Sequence, residues 1–411
     1  MKNYIKKNQC RICKKRGLEL ILDLGKQPPA NALIENVKIK ENVFPLRLYW
    51  CKNCNLVQLL DIVDKKYLFS DYFYMTSASK PIVKHFIKYA NYTFKKYLKN
   101  KKNSTVLEIG SNDGSLLKEF KKLGAKTIGI EPAKNLADLA NHKGIKTING
   151  FFSIKLAKKI AENQNISLIV ANNVVGHIED LYELMEGVKI LIKNDGIFVF
   201  EVPYLIDFIK KREFDTVYHE HLSYFSLLPL MYLARKFGLE IFDVKKQRVH
   251  GGTIRIFISK KGNQKVSASV KKFEIHEKEF GINKKKTYVS FSNDVKKIKD
   301  EIRTILAKLK KQNYNIFGYG APAKGNVLLN YCKIDTKFID EIIDTTPIKQ
   351  GKFTPGTHIP IVTPKKMYKK GLGDIALILA WNYSKDIINV EKKFQKKGGR
   401  FLIPIPKPTI K

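Results

Sequence analysis

Between residues 105 and 203 short apolar runs alternate with amphipathic stretches, and this alternation restricts the fold more than any other feature. The apolar runs are TVLEIG (105–110), TIGIEP (127–132), KTING (146–150), SLIVANN (167–173) and GIFVFEVP (196–203). SLLKEFKKLG, AKNLADLANHKG, SIKLAKKIAEN and LYELMEGVKILIK separate them. Apolar strands joined by helices form a parallel sheet, because each right-handed crossover lays its helix against a sheet face. EIFDVKK (240–246) and TIRIFISK (253–260) raise the count to seven strands and are spaced closely enough to pair antiparallel. A second α/β unit is expected after a long helix near 291–311. It reads NIFGYGAPAKGNVLLNY (strand, glycine turn, helix), then KFIDEIID, PIVTPKKM, DIALILAW and RFLIPIP. A length of 411 residues suits two or three such units.

Four of the five cysteines fall in the first 54 residues, as two C-x2-C pairs: Cys10 and Cys13, then Cys51 and Cys54. Two knuckles supply the four thiolates of a tetrahedral Zn²⁺, and four protein ligands leave no open position, so the metal is read as structural. Disulfides are disfavoured because MKNYIKKNQC carries no apolar export segment. A unit of about 70 residues has a small core, so metal binding is expected to supply much of its stability. Cys332 stands alone in an apolar stretch and reads as a buried hydrophobe.

VLEIGSNDGSLL joins the first strand of the alternating region to its first helix. Gly110 and Gly114 permit a tight turn and a close approach of ligand to backbone. Glu108 and Asn112 lie in the same segment, and Glu131 ends the next strand, where a carboxylate accepts both hydroxyls of a ribose. The spacing is not the G-x-G-x-x-G that seats a pyrophosphate, so S-adenosylmethionine fits better than NAD. The expected architecture is therefore an α/β sheet that binds this cofactor, between the zinc unit and a second α/β unit. Asn149, Gly150, Phe151 and Phe152 follow the third strand, and Asn172 and Asn173 end the fourth, at the crevice of the sheet.

YHEHLSYFS (218–226) is the densest in chemistry. In a helical turn Tyr218 and His221 share a face; in an extended segment Tyr218 pairs with Glu220 and His219 with His221. Methyl transfer to a sugar carbon needs a base for the proton beside a ketone and donors for the resulting oxyanion. Tyr72, Tyr74, Tyr218, His177 and His221 supply that combination, and His219 reads equally as structural.

These segments, taken in order, resemble the S-adenosylmethionine-dependent sugar C-methyltransferases that act on nucleotide-linked 4-keto-deoxysugars. The resemblance rests on the knuckles flanking LGKQPPANAL, then DYFYMTSAS, LEIGSNDGSLL, GIEPA, NNVVGHIEDL, EVPYL, YHEHLSYFS, HGGTIRIFI, GYGAPAKGNVLLNY, IDTTPIKQGKFTPGTHIPI and LAWNY. It implies an α/β fold in three parts: a zinc-binding domain (1–70), a class I methyltransferase domain with a Rossmann-like seven-stranded sheet (71–262) and a second Rossmann-like α/β domain at the C-terminus that helps hold the nucleotide-sugar (263–411). It implies that His221 takes the proton, with Tyr218, Glu220, His177 and Tyr72 or Tyr74 as neighbours. The family often has proline between the two tyrosines, where this chain has Phe73. On its own terms GYGAPAKGN suits an anionic diphosphate at a helix start, through Gly318, Tyr319, Gly320, Lys324 and Asn326, with Asp344 at the next strand end. His358 in GTHIP reads as a loop residue.

The formal charge of +38, from 76 Lys+Arg against 38 Asp+Glu, raises nucleic acid as a partner. The lysines are spread along the whole chain and arginine is scarce, so most of the charge is read as solvated surface that attracts anionic substrates. Nucleic-acid methylation is also disfavoured because the fourth strand ends ANNVVGHI, without a proline turn. Two rival readings are a sugar O-methyltransferase on the same scaffold and a binding protein that has lost catalysis. No apolar run approaches the ~20 residues of a membrane helix, and a cytoplasmic enzyme is expected.

Overall fold

The computed structural model describes residues 4–69, 75–99, 103–192, 195–249, 251–365 and 374–411. The cysteine-rich segment carries β1 (Tyr4–Lys6), β2 (Glu19–Gln27), β3 (Phe44–Trp50), β4 (Val57–Leu59) and β5 (Asp61–Val63). The middle carries β6 (Thr105–Ile109), β7 (Lys126–Glu131), β8 (Thr147–Asn149), β9 (Leu168–Asn172), β10 (Ile197–Pro203), β11 (Ser223–Tyr224), β12 (Leu239–Gln247) and β13 (Thr253–Lys260). The last unit carries β14 (Ile316–Tyr319), β15 (Ile342–Ile343), β16 (Ile361–Val362), β17 (Ile375–Ile378), β18 (Arg400–Ile403) and β19 (Thr409–Ile410).

The central sheet has the order β8-β7-β6-β9-β10-β13-β12. Its five first strands are parallel, and β13 runs antiparallel between β10 and β12. The strand order reverses at β6, whose neighbours are β7 and β9, and a crevice opens beyond the carboxyl ends of β6 and β9. The helices form as their apolar spacing requires. Ser115–Lys122 buries Leu116, Leu117 and Phe120 on one face. The preceding helix, Lys80–Tyr97, starts with proline in its first turn and packs Tyr89 edge-on to Phe120.

The first unit is not independent. Its sheet, β2-β3-β4, is completed by β11 from the YHEHLSYFS segment, with Ser223 paired to Gln58 and Tyr224 to Val57. Leu22, Leu24, Leu48, Trp50 and Leu59 bury in the core of the C-terminal unit, where Trp50 meets Tyr288 at 5.1 Å. The four cysteines and Leu56 bury in the core of the central unit. The separate small core expected for this segment is thus replaced by two shared ones.

The long helix begins at Lys285, before residue 291, because the apolar spacing of Tyr288, Phe291, Val295, Ile298, Ile302, Leu306 and Leu309 starts earlier. A further helix, Ala268–Phe280, lies in the lysine-rich stretch. It buries only Val270 and Glu277, too thin a stripe for sequence periodicity to reveal. Ser267 caps its start and Gly281, at φ +84°, ends it. Val270 and Ile282 pack with the central sheet. The C-terminal sheet, β16-β15-β14-β17-β18-β19, is parallel except for β19.

Phe120 is fully buried between sheet and helices. Phe120→Ala is expected to cost ~3–5 kcal/mol of the central unit's stability. Urea unfolding followed by circular dichroism checks this; an unshifted midpoint contradicts the packing described.

Candidate active site and metal centre

The knuckle turns bring Cys10, Cys13, Cys51 and Cys54 together, all buried, with their four sulfurs within 4.8 Å of one another. The closest pairs are Cys10–Cys54 at 3.4 Å and Cys13–Cys51 at 3.5 Å, so no disulfide joins them. Zn–S bonds of ~2.3 Å place tetrahedral sulfurs ~3.8 Å apart, so the donor set fits Zn²⁺. Cys332 is fully buried and burial pushes its thiol up to about 12, which leaves it inert.

The cofactor crevice is built at the turn after β6. Gly110 and Gly114 have φ of +68° and +75°, and a Cβ on Gly110 would lie 2.7 Å from Val174 Cγ2. Glu131 is buried at the end of β7, and its two carboxylate oxygens accept the amides of Asn112 (2.8 Å) and Ala133 (2.9 Å). Each oxygen keeps a second lone pair for a ribose hydroxyl. Glu108 is buried beside Asn172, and neither Glu108 Oε2 nor the Asn172 amide makes a hydrogen bond of sound geometry. Asn173 Oδ1 is likewise buried and unsatisfied. Unsatisfied polar atoms and a glycine cradle at one strand end fit a polar, cationic cofactor such as S-adenosylmethionine. Burial raises Glu131, and raises Glu108 well above the usual carboxylate range. Phe151 is exposed under the Lys65 ammonium, 4.4 Å from its ring centre, whereas Phe152 packs on Gly187. Asn149 holds the β7 end through the Glu131 and Pro132 carbonyls. Asn112 Oδ1 and Asp113 accept the amides of Thr76 and Ser77, which fastens residues 76–77 onto the turn. Burial works against the Asp113 charge, yet bonds from Ser115 and Ser77 and the Lys143 ammonium hold it below its ordinary range.

The groups expected to react meet at the 218–221 turn. YHEH forms a turn, with the His221 amide on the Tyr218 carbonyl at 2.8 Å. The rings of Tyr218 and His221 lie 3.8 Å apart, and His177 lies 4.9 Å from His221. His221 Nδ1 faces the Thr216 carbonyl at 2.8 Å, and a carbonyl only accepts, so Nδ1 carries a proton. Burial lowers His177 to about 4, which keeps it neutral. Glu220 points elsewhere: it is buried and takes both its bonds from Asn31, at 2.8 and 3.0 Å, and burial raises it to about 7. His219 is buried against the Phe44 ring and carbonyl, in the metal unit. Tyr72 and Tyr74 lie outside the described residues.

In the C-terminal unit, Gly320 has φ +81° at the turn after β14. Asp344 accepts the Ala321 and Thr346 amides, both at 2.7 Å. Lys324 reaches Asn382 at 3.1 Å and lies over the Trp381 ring. Gly318 packs against Ile342 and Leu379. Tyr319 donates to Glu391 at 2.7 Å, and Asn326 donates to the Ala30 carbonyl at 2.6 Å, so both point away from the turn. His358 binds Glu41 in a loop.

Three groups escape sequence reasoning because their partners are distant in the chain. Asn31, in QPPAN, holds Glu220. Asp215 is fully buried, raised to about 6 by burial against the opposing Lys324 charge, and accepts the Trp381 indole N–H at 2.6 Å. Glu201, at the end of β10, is fully buried between Arg255 (2.7 Å) and His85 (2.8 Å). The one hint of it in the sequence is a carboxylate in an apolar strand, FVFEVP.

Three family models match the chain: a zinc binding domain over residues 10–69, a methyltransferase domain over 83–244, and a C-methyltransferase C-terminal domain over 248–406. The C-methyltransferase NovU of Streptomyces niveus is 35% identical over 407 residues, 98% of this chain and 96% of NovU. A ubiquinone biosynthesis O-methyltransferase of Rhodopseudomonas palustris is 28% identical over 95 residues, 23% of this chain and 38% of that protein. Among solved structures, the CcbJ methyltransferase of Streptomyces caelestis covers 46% of this chain and 94% of its own, at 14% identity and a TM-score of 0.35.

Cys13→Ser is expected to lower bound zinc and folding yield together; metal analysis and thermal unfolding check this, and full stability of metal-free protein contradicts a structural zinc. A second expectation concerns pH. Glu108 and Glu131 have raised pKa values, and a bound cation favours their ionised forms. S-adenosylmethionine affinity should therefore rise with pH above the ordinary carboxylate range, with proton release on binding. Calorimetry in buffers of different ionisation enthalpy measures this; binding without proton release removes both carboxylates from the site.

Proposed function

The chain belongs to the C-methyltransferase family that includes NovU, and from that premise we propose that it methylates a carbon, C3, of a nucleotide-linked 4-keto-deoxysugar. It is an S-adenosylmethionine-dependent C-methyltransferase with a zinc-binding N-terminal segment. The observation that supports carbon methylation through an enolate is the ring cluster of Tyr218, His221 and His177, a base with donors beside it. A ketone acidifies the hydrogen on the adjacent carbon, and His221 Nε2 takes that proton. The electron pair moves into the carbonyl, and the enolate oxygen requires donors. Tyr218 and neutral His177 are suited to that role, with Tyr72 or Tyr74 as the further hydroxyl. S-adenosylmethionine held in the crevice would supply an electrophilic methyl to the enolate carbon, with the thioether as leaving group. The proton on His221 then passes to solvent.

Glu131, Gly110, Gly114, Asn112, Glu108, Asn172, Asn173 and Phe151 are proposed to hold the cofactor. Gly320, Lys324 and Asp344 are proposed to face the nucleotide-sugar, with Gly318 packed in the strand and Tyr319 and Asn326 holding that turn from behind. Glu220 is proposed to support the turn that carries the base from the metal-unit side, its carboxylate held by Asn31. The division of labour follows residues 1–70, 71–262 and 263–411, with the helix at 268–280 packed back on the central sheet. The substrate's phosphates suit a chain of +38, and neither nucleic acid nor membrane is a required partner. No described helix is long and apolar enough to cross a membrane; a cytoplasmic enzyme is proposed, as its substrate would be made there.

Incubation with S-adenosylmethionine and a panel of nucleotide-linked keto-sugars, followed by mass spectrometry, identifies the product. Enzyme-dependent deuterium exchange beside the ketone separates carbon from oxygen methylation. His221→Ala should lower turnover at least ~100-fold with cofactor affinity nearly unchanged. Near-normal turnover would remove His221 as the base.

A further inference from the structure

Arg11 sits inside the first knuckle, between Cys10 and Ile12, and its side chain is buried. Its guanidinium donates to the Leu222 carbonyl at 2.9 Å, the Leu59 carbonyl at 3.0 Å and Gln58 Oε1 at 3.2 Å. All three partners are neutral. Burying a cation costs several kcal/mol, and carbonyls offset this less fully than a carboxylate does. Its direct partners instead place it at a junction of the chain.

Leu222 follows His221 directly, and it is gripped on both sides. Its amide donates to the Gly176 carbonyl at 2.8 Å, next to His177. Its carbonyl receives Arg11 and the Leu59 amide, the latter at 3.0 Å. β11 pairs with β4 through only two residues; beyond it the Leu205 amide holds the Phe225 carbonyl at 2.8 Å, so the end toward His221 rests on the contacts of Leu222. The knuckle end is anchored too: Gln58 Nε2 donates to Cys10 Sγ at 3.2 Å, and Gln58 Oε1 accepts the Arg11 amide at 3.0 Å. The path runs from a metal-ligand sulfur through Gln58 and Arg11 to the backbone beside His221.

We propose that Arg11 is a positioning residue for methyl transfer, fixing the Leu222 backbone and so the placement of His221 and His177 relative to the substrate. This goes beyond a zinc that merely folds the N-terminal segment. It rests on the reading of His221 as base. A displacement of ~1 Å at the base is enough to lower turnover ~100-fold without loss of binding.

The test uses the full-length, zinc-loaded chain with Arg11→Lys, which keeps a cation but loses the fork, and Arg11→Met. Four quantities are measured: zinc content, S-adenosylmethionine affinity, amide exchange over residues 216–226, and the imidazole NMR signal of His221. Turnover is measured on the keto-sugar panel. The expected result for Arg11→Lys is intact zinc and cofactor affinity within ~2-fold. Exchange at Leu222–Tyr224 accelerates, the His221 signal shifts, and kcat falls ~10–100-fold with KM little changed. Arg11→Met should fall further, and added guanidinium should restore part of the loss. Unchanged exchange and His221 signal in Arg11→Lys overturn the proposal, as does a loss of zinc, cofactor binding and turnover in equal proportion. His221→Ala is the control: if it retains turnover the parent reading fails, whereas an inactive His221→Ala beside a fully active Arg11→Lys removes this inference alone.

Discussion

A two-residue strand, Ser223–Tyr224, joins the metal unit's sheet and carries the reacting segment with it. Much of the molecule depends on that pairing. It ties the chain just after Tyr218 and His221 to a sheet outside the central one, while the Leu222 amide holds the Gly176 carbonyl beside His177. A loop left to itself at this position would lose conformational entropy for each ordered residue. Here the order is supplied by a strand partner, and by the metal unit's burial in two neighbouring cores.

The same junction explains where the polar groups go. His219 and Glu220, at the centre of the turn, are turned into the interface with the metal unit, and the His221 ring lies with that of His177. The short helix Phe214–Thr216 is tied to the C-terminal unit through Asp215 and Trp381. Its last residue, Thr216, supplies the carbonyl that sets the His221 tautomer. All three units therefore contact the backbone around one imidazole, which fixes its position from three sides. The buried carboxylates Glu108 and Glu131 add a second logic. Burial makes their charge costly on its own, so a cationic cofactor is the natural occupant of the crevice.

The central sheet, the cysteine quartet and the acidic strand end at Glu131 were legible in the sequence because each rests on local physics: hydrophobic period, ligand spacing and chain direction. Pairing of Tyr218 with His221 was one of two open geometries, and the turn resolved it. The helix at 268–280, the burial of the metal unit in neighbouring cores, and the partners Asn31, Arg11, Asp215 and Glu201 were not legible. Each depends on residues far apart in the chain, and no period or motif marks such contacts. Sequence thus determined which chemical groups the chain owns and which elements carry them. Tertiary structure alone decided which groups meet, because the contacts that aim His221 span separations of 211 residues, from Arg11 to Leu222, and 166 residues, from Asp215 to Trp381.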